Sequence, residues 1–385
     1  MTDPLPRFIS AHASGTHWAD ITRACLDQLG PVSREKTRRE DALGFVYVTD
    51  HLAQDLPAIV DQLRLATGFE HWLGTVGMAI TGQTEAAPAQ EYIDEPAISL
   101  MVGYFAPDSF RLLEPEQGGA GSRLRALQPW MEARQPQVAL VHGDPRNPQL
   151  PNLMRQLTAE SGLFLLGGLT SSRAGFPQVA GSVGEGGLSG ALLATGVPLV
   201  TGLSQGCSPI GPPHRVTKSQ DNIVMEIDGR PALDVFREEI GEVLARDLRK
   251  VAGFIFAALP VSGSDTGDYL VRNLTGIDGN SGWIAIGADI PDGDAIMFAR
   301  RDRGSALADL ELMLERLKQR IDRPIRGGLY ISCIARGPNL FGPDATETRL
   351  IAQHLGHFPL TGFFANGEIS HDRIYAYTGV LTLFL

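Results

Sequence analysis

The sequence contains three copies of one structural unit, and this threefold repeat limits the folds that the chain can adopt. Each copy has an apolar strand, a polar turn, a helix that ends at a glycine, and a second glycine six residues later. The glycine pairs are Gly68/Gly74, Gly162/Gly168 and Gly356/Gly362. Because the chain has 44 glycines in 385 residues, a single match would mean little. Three matches in the same context indicate three related structural units.

The repeat also predicts how its elements are connected. A glycine after the last apolar turn of a helix adopts a left-handed conformation that other residues resist, and it therefore ends the helix. The next strand runs parallel to the strand before the helix, because right-handed helical crossovers join parallel strands. A further apolar run closes each copy after a polar hairpin, at 98–102, 187–193 and 379–384. We therefore predict an α/β (α+β) fold of mixed β-sheets with backing helices, built from repeated β-α-β-β units in two domains.

Two helix starts follow from local patterns. Asp344 and Glu347 have the spacing of a capping box, in which the two side chains satisfy the first free N–H groups of a helix. Ser305 is the predicted N-cap of an amphipathic helix over 305–320. Both features are predicted to be purely structural.

Composition and charge limit the class of partner. The chain is 43% apolar and 20% charged, which is typical of a globular protein with substantial cores. Its formal net charge of −11 argues against nucleic acid or an anionic membrane surface, because both require a basic face. We expect a small polar metabolite or a protein as the partner, and neither nucleic acid nor membrane.

The cysteines and the N-terminus predict the compartment. Cys25, Cys207 and Cys333 are widely spaced and match neither a disulfide framework nor a zinc site. Residues 1–6 lack the basic lead and the apolar core of a secretion signal. The uncharged stretch 186–203 is rich in glycine, and it therefore predicts two buried strands rather than a membrane-spanning helix. We expect a cytoplasmic protein.

Several segments resemble the FIST family of sensory proteins. They are LSQGCSPIG at 203–211, 216–217, 227–233, 269–274, 332–336 and 362–369. The resemblance implies a FIST N-terminal-like domain over residues 1–230 and a FIST C-terminal-like domain over residues 231–385. It also implies an intracellular sensory protein that binds a small molecule, with amino acids as the suggested ligand class. Such a protein would act in signal transduction through a separate partner.

Polar residues follow a strand in each repeat, at 49–51, 142–144 and 332–336. Ligands gather at the carboxyl ends of parallel strands, so these positions are candidate sites. In the last repeat the returning hairpin adds Asn366 and Glu368. The Arg336 guanidinium suits a carboxylate and the Glu368 carboxylate suits an ammonium group, so we predict a ligand site. Its residues are Arg336, Cys333, Asn366 and Glu368. The structural alternative is an ion pair between Arg336 and Glu368, or a capping role.

Other functions use some of the same residues. A hydrolase-like enzyme would use Cys333 as nucleophile and His354 or His371 as base. A haem-based gas sensor would use His214 as an axial ligand, although no haem attachment motif accompanies it. A protein-interaction scaffold is a third alternative. We expect a binding protein with no cofactor and no catalytic residue. A metal held by 50–51 and 142–144 is not expected, because such pairs on loops are mostly solvated.

Overall fold

A computed structural model describes residues 8–30, 42–115, 121–245, 248, 251, 253–261 and 267–385, without the side chains of 121–123, 243 and 245. The segment 1–6, with its predicted lack of a secretion signal, lies outside the described residues. Contacts between Cα atoms divide the chain into two compact units. Unit 1 comprises Met1–Ser204, Leu310–Ile374 and Thr378–Leu385, and unit 2 comprises Gln205–Asp309 and Tyr375–Tyr377. The predicted boundary between residues 230 and 231 lies within unit 2, and as a domain boundary it stays a prediction.

The helices of the described residues lie mainly in unit 1. They are α1 (Trp18–Leu29), α2 (Leu56–Thr67), α3 (Gly121–Arg134), α4 (Leu150–Ser161), α5 (Ala232–Ala245), α6 (Arg303–Arg320), α7 (Pro338–Phe341) and α8 (Thr346–Leu355). A 3₁₀ turn covers Asp50–Leu52. Within the ranges that the structure describes, none of these helices is long and apolar enough to cross a membrane.

The strands form mixed sheets in unit 1 and an antiparallel sheet in unit 2. The first strands are β1 (Phe8–Ser14), β2 (Ala42–Thr49), β3 (Trp72–Gly77), β4 (Ala79–Gln83), β5 (Gln90–Ile93), β6 (Ala97–Tyr104), β7 (Phe110–Leu113), β8 (Val138–Gly143), β9 (Phe164–Leu169), β10 (Gln178–Ala180), β11 (Ser182–Gly184), β12 (Leu188–Leu193) and β13 (Leu199–Gln205). The next are β14 (Cys207–Gln220), β15 (Ile223–Ile227), β16 (Arg230–Pro231), β17 (Ile255–Pro260), β18 (Tyr269–Asp278), β19 (Trp283–Ile286) and β20 (Ala295–Arg301). The last are β21 (Gly327–Cys333), β22 (Leu360–Ala365), β23 (Glu368–Ser370), β24 (Arg373–Tyr375) and β25 (Thr378–Phe384).

Three six-stranded sheets share one strand plan. Their orders are β1-β6-β2-β3-β10-β11, β7-β12-β8-β9-β23-β24 and β13-β25-β21-β22-β4-β5. Each has a central parallel pair joined by a helix: β2/β3 through α2, β8/β9 through α4, and β21/β22 through α8. The closing strand of each repeat, β6, β12 or β25, lies antiparallel to the first strand of that pair. The predicted fold class and its β-α-β-β units are confirmed.

Each repeat gives its hairpin to the sheet of another repeat. The hairpin β4–β5 of the first repeat pairs with β22 of the third repeat. The hairpin β10–β11 of the second repeat pairs with β3 of the first. The hairpin strand β23 of the third repeat pairs with β9 of the second. The three sheets are therefore interlocked in a cycle, and every sheet is completed by a neighbour.

A central apolar core lies between the inner faces of these sheets. One ring from each repeat meets there: Tyr47, His142 and Phe363. Their ring centroids lie 5.6 Å apart for Tyr47 and His142, 5.2 Å for Tyr47 and Phe363, and 5.7 Å for His142 and Phe363. Helices α1 and α2, α3 and α4, and α6 and α8 bury the outer face of each sheet in a separate apolar cluster.

In unit 2, the strands β14, β20, β17, β18, β19 and β15 pair in that order, and β14 also pairs with β15. These six antiparallel strands therefore close into a ring, with β16 beside β15. Helix α5 packs Leu233 and Phe236 into the apolar core of the unit, where the Phe236 ring lies 4.9 Å from that of Phe298. In sequence, the unit lies between β13 and the larger part of α6, and it thus interrupts the third repeat.

Both predicted helix starts are wrong. Asp302, rather than Ser305, caps α6, because its carboxylate accepts hydrogen bonds from the Ser305 amide (2.9 Å) and hydroxyl (2.5 Å). Helix α8 begins after Ala345, which has a left-handed φ of 49°, and that start has no side-chain cap. The Glu347 carboxylate binds other groups, as described for the candidate site.

The glycines of the repeat have two structural roles. Gly68 and Gly162 end α2 and α4 with φ of 72° and 70°, and Gly356 ends α8 with φ of 87°. The second glycine lets two parallel strands approach each other. A Cβ at Gly74 would lie 1.7 Å from the Val46 carbonyl oxygen, and one at Gly362 would lie 1.7 Å from that of Tyr330.

The second repeat departs from the predicted spacing by one residue. Its close approach is made by Gly167, where a Cβ would lie 1.8 Å from the carbonyl oxygen of Val141. Gly167 pairs with a strand of the neighbouring hairpin, as Gly74 and Gly362 do. The residue equivalent to Gly74 and Gly362 is therefore Gly167 rather than Gly168, and it follows the helix-ending Gly162 by five residues instead of six.

We predict that Gly74→Ala and Gly362→Ala each destabilise the protein. A methyl group at either position would overlap a backbone carbonyl that cannot move without breaking the sheet, so we expect a loss of about 3 kcal/mol or more. Gly196→Ala is the matched control, because a Cβ at this exposed glycine has no atom within 4 Å. Urea unfolding of the three variants measures the difference, and equal midpoints would contradict the prediction.

Candidate functional site

Arg336 lies in the turn after β21, and its side chain is fully buried. Its Nε donates a hydrogen bond of 2.8 Å to Oε1 of Glu347, and its Nη2 lies 2.7 Å from the same oxygen. Its Nη1 donates to the carbonyl oxygen of Ser204 at 3.3 Å. The ion pair that the structure shows for Arg336 is therefore with Glu347, whereas Glu368, its partner in the structural alternative, interacts with it through charge.

The Glu347 carboxylate is the centre of a buried polar network. Besides Arg336, it accepts hydrogen bonds from the Tyr330 hydroxyl (2.6 Å), the Ser332 hydroxyl (3.0 Å) and the Gly337 amide (3.0 Å). Both oxygens are used, so the buried charge is neutralised by Arg336 and fully hydrogen-bonded. Sequence reasoning missed this role because Glu347 also has capping-box spacing. The available signal was the pair Tyr330 and Ser332. These two polar residues are two positions apart and therefore lie on the same face of an otherwise apolar strand.

Glu368 is the first residue of β23, and its side chain is also fully buried. Its Oε2 accepts hydrogen bonds from the backbone amide (3.1 Å) and the hydroxyl (2.7 Å) of Thr378. Its Oε1 has no partner that meets hydrogen-bond geometry. Burial raises the pKa of Glu368 to about 8, although Thr378, the Arg336 charge and the Cys333 thiol lower it. No sequence pattern indicates this role of Thr378.

Cys333 and Asn366 occupy neighbouring strand ends. Cys333 is the last residue of β21, is 6% exposed, and pairs in register with Ala365 at the end of β22. Asn366 follows β22 and is exposed. Three of the four predicted residues, Arg336, Cys333 and Glu368, thus interact at the carboxyl ends of the parallel pair. Asn366 lies at the surface turn that leads into β23.

At the strand ends of the other two repeats, an acid forms a bidentate ion pair with an arginine. Asp50 accepts hydrogen bonds from Nε (2.7 Å) and Nη2 (2.8 Å) of Arg173, and Asp144 accepts from Nε (3.0 Å) and Nη2 (2.6 Å) of Arg146. Burial favours the neutral form of both acids, but the arginines hold the pKa of Asp50 and of Asp144 below its ordinary value. Within the described ranges, no group of three His, Cys, Asp or Glu side chains is placed to hold a metal ion.

The histidines of the alternative functions have carboxylate partners. Nδ1 of His354 lies 3.0 Å from Glu315, and Nδ1 of His371 lies 2.9 Å from Asp372. The acid that interacts with the Cys333 thiol is Glu368. The hydrolase-like alternative stays a prediction.

In unit 2, the two ring nitrogens of His214 lie 2.7 Å from Asp228 and 3.2 Å from Glu239. An axial bond to haem iron would have to displace one of these carboxylates. This environment does not fit an axial ligand well, and the haem alternative likewise stays a prediction.

Comparison with known families accounts for most of the chain. The FIST N domain matches residues 42–230, and the FIST C domain matches residues 232–371. The chain therefore belongs to the FIST family, whose domains are associated with sensory signal transduction.

The chain is also similar to mycobacterial proteins. It is 35% identical over 201 residues to an uncharacterized protein from Mycobacterium tuberculosis (strain ATCC 25618 / H37Rv), over 49% of this chain and 52% of that protein. It is 35% identical over 199 residues to an uncharacterized protein from Mycobacterium bovis (strain ATCC BAA-935 / AF2122/97), over 49% of this chain and 50% of that protein. The chain thus spans about half the length of the curated relatives that it matches.

We predict that Arg336→Met destabilises the protein by about 3–5 kcal/mol, because it leaves the Glu347 carboxylate buried and without the Arg336 counter-charge. The double variant Arg336→Met/Glu347→Gln should lose less than the sum of the single variants, since no lone charge remains. Urea unfolding in a double-mutant cycle measures the coupling. Arg23→Ala is the control, because its ion pair with Asp20 is exposed and should affect stability little. Strictly additive losses would contradict the prediction.

We predict that Glu368 makes stability fall as the pH rises. Its pKa is about 8 when folded against 4.5 for a free glutamate, so the folded protein holds a proton that the unfolded chain has released. This contribution is complete below pH 4.5 and is lost as the pH rises to about 8. Compared with Glu368→Gln, the wild type should lose on the order of a few kcal/mol across this window. Urea unfolding between these pH values tests this, and parallel profiles would contradict it.

Proposed function

We propose that this chain binds a small polar metabolite that carries an ammonium group, with amino acids as the ligand class, and that it transmits binding to a separate signalling protein. The observation that carries the proposal is Oε1 of Glu368, which has no partner that meets hydrogen-bond geometry although the side chain is fully buried. We also propose a cytoplasmic setting, without a cofactor. The formal charge of −11 supports a partner other than nucleic acid or membrane.

The buried acids of the described residues support the choice of Glu368. In Asp50, Asp144 and Glu347, both carboxylate oxygens accept hydrogen bonds, and each acid faces an arginine. In Glu368, Oε1 has no partner that meets hydrogen-bond geometry, and the cation that acts on this acid, Arg336, is already paired with Glu347. An unpaired buried acceptor costs about 1–3 kcal/mol, so an ammonium group at Oε1 would be strongly stabilised.

The other predicted residues receive distinct roles in this proposal. Arg336 is a positioning residue, because its guanidinium holds Glu347 and its charge acts on Glu368 from a distance. The Cys333 thiol lies beside the carboxyl group of Glu368. The Asn366 amide, at the exposed turn between β22 and β23, supplies neutral donors for the ligand carboxylate. The carboxyl end of a parallel strand pair is a common place for such a site.

A thermal-shift panel of the standard L-amino acids tests the proposal. At least one of them should raise the Tm of the wild-type protein, and isothermal titration should give its affinity. Glu368→Gln should weaken that affinity about tenfold to hundredfold, because a charged hydrogen bond is lost while the shape is kept. Asn366→Ala should weaken it less, since a neutral hydrogen bond is lost.

The matched control is Glu160→Gln, which removes the same charge from an exposed position at the end of α4. It should bind like the wild type. A panel in which no amino acid shifts the Tm would refute the proposed function. A Glu368→Gln variant that binds with wild-type affinity would refute the assigned site.

A further inference from the structure

We infer that Glu368 exchanges its proton for the ammonium group of the ligand, so that binding releases a proton to solvent and affinity increases with pH. This inference rests on the proposed function and adds a mode of regulation to the same site. The balance is simple: the neutral carboxylic acid and the alkylammonium ion become a carboxylate–ammonium pair and one proton taken up by the buffer. No covalent bond of the ligand changes.

The cation that acts on Glu368 is already paired with another buried acid in the free protein. The charged or titratable groups that act on it from neighbouring elements are the Cys333 thiol at the end of β21 and Arg336 in the turn after it. The Arg336 charge is compensated by Glu347 of α8 at 2.7 Å. Ionising Glu368 would therefore add a third, uncompensated charge to a buried cluster, and such a charge is costly.

The hydrogen bonds of Glu368 permit either protonation state. The two donors from Thr378 both bind Oε2, which is an acceptor in the neutral acid as well as in the carboxylate. Oε1 is then the oxygen that carries the proton in the free protein. The raised pKa that burial gives this group agrees with the assignment. An ammonium group hydrogen-bonded to Oε1 supplies a counter-charge for the carboxylate. An opposite charge in such close contact favours the ionised form of the acid.

The consequence is a linkage between pH and binding. While free Glu368 is protonated, each unit of pH should raise the affinity about tenfold, because one proton leaves for each ligand bound. The increase should level off near pH 8, where the free protein loses the proton by itself. The ligand amine must keep its own proton over this range, as the α-amino groups of free amino acids do.

The experiment uses the full chain and the L-amino acid that gives the largest thermal shift in the panel. Calorimetric titration near pH 7 in buffers of different ionisation enthalpy should show about one proton released for each ligand bound. Infrared difference spectroscopy should show a protonated-carboxyl band in the free wild type that disappears on binding. This band should be absent from Glu368→Gln, and Glu160→Gln should keep both the proton release and the band.

Thr378→Val provides a second variant that keeps the shape of the side chain. It removes a hydrogen bond to Oε2 that favours the carboxylate, so the pH at which the affinity levels off should move upward. An unchanged level-off point would contradict the linkage. Binding without proton release, or a free protein without the carboxyl band, would overturn the inference and leave the proposed function standing. Failure of every amino acid to bind would remove both together.

Discussion

The exchange of hairpins between the three repeats is the constraint on which the rest of unit 1 depends. In each sheet, the two strands at one edge come from another repeat, so no repeat completes its own sheet. The exchange also fixes where close approaches occur, because Gly74, Gly167 and Gly362 each sit between a parallel partner and a hairpin strand. The central core draws residues from all three sheets, and Tyr47, His142 and Phe363 meet there.

Against this shared plan, the polar strand ends of the repeats have different chemistry. In the first two repeats, the acid at the strand end forms an ion pair with a half-exposed arginine. In the third repeat, a fully buried arginine pairs with Glu347. The third repeat thus contains two buried acids and one buried arginine. This imbalance of charge, rather than the presence of polar residues at a strand end, distinguishes Glu368 from Asp50 and Asp144.

The sequence predicted the repeat well because its signals are local. A strand, a helix and a terminal glycine follow one another within a short stretch, and the physics of each is contained in that stretch. The partner of Arg336 was not predictable in the same way. The position of Glu347 in the sequence fits a capping box with Asp344, but its side chain pairs with Arg336 in the folded protein. Only the packing of α8 on β21 decides between these two roles. Gly167 was missed for a similar reason, since strand register decides which of two adjacent glycines meets a carbonyl.

The cyclic order of the hairpins has a consequence for the origin of the architecture. If three copies of such a unit were on separate chains, each would donate its hairpin to the sheet of the next copy. These head-to-tail contacts would form a closed ring of three subunits. Joining the three copies in one chain gives a single-chain scaffold whose copies are free to diverge individually. The copies have diverged unequally, since one copy alone carries the long insertion of unit 2 and, among the described residues, a buried acid with an oxygen that has no hydrogen-bond partner.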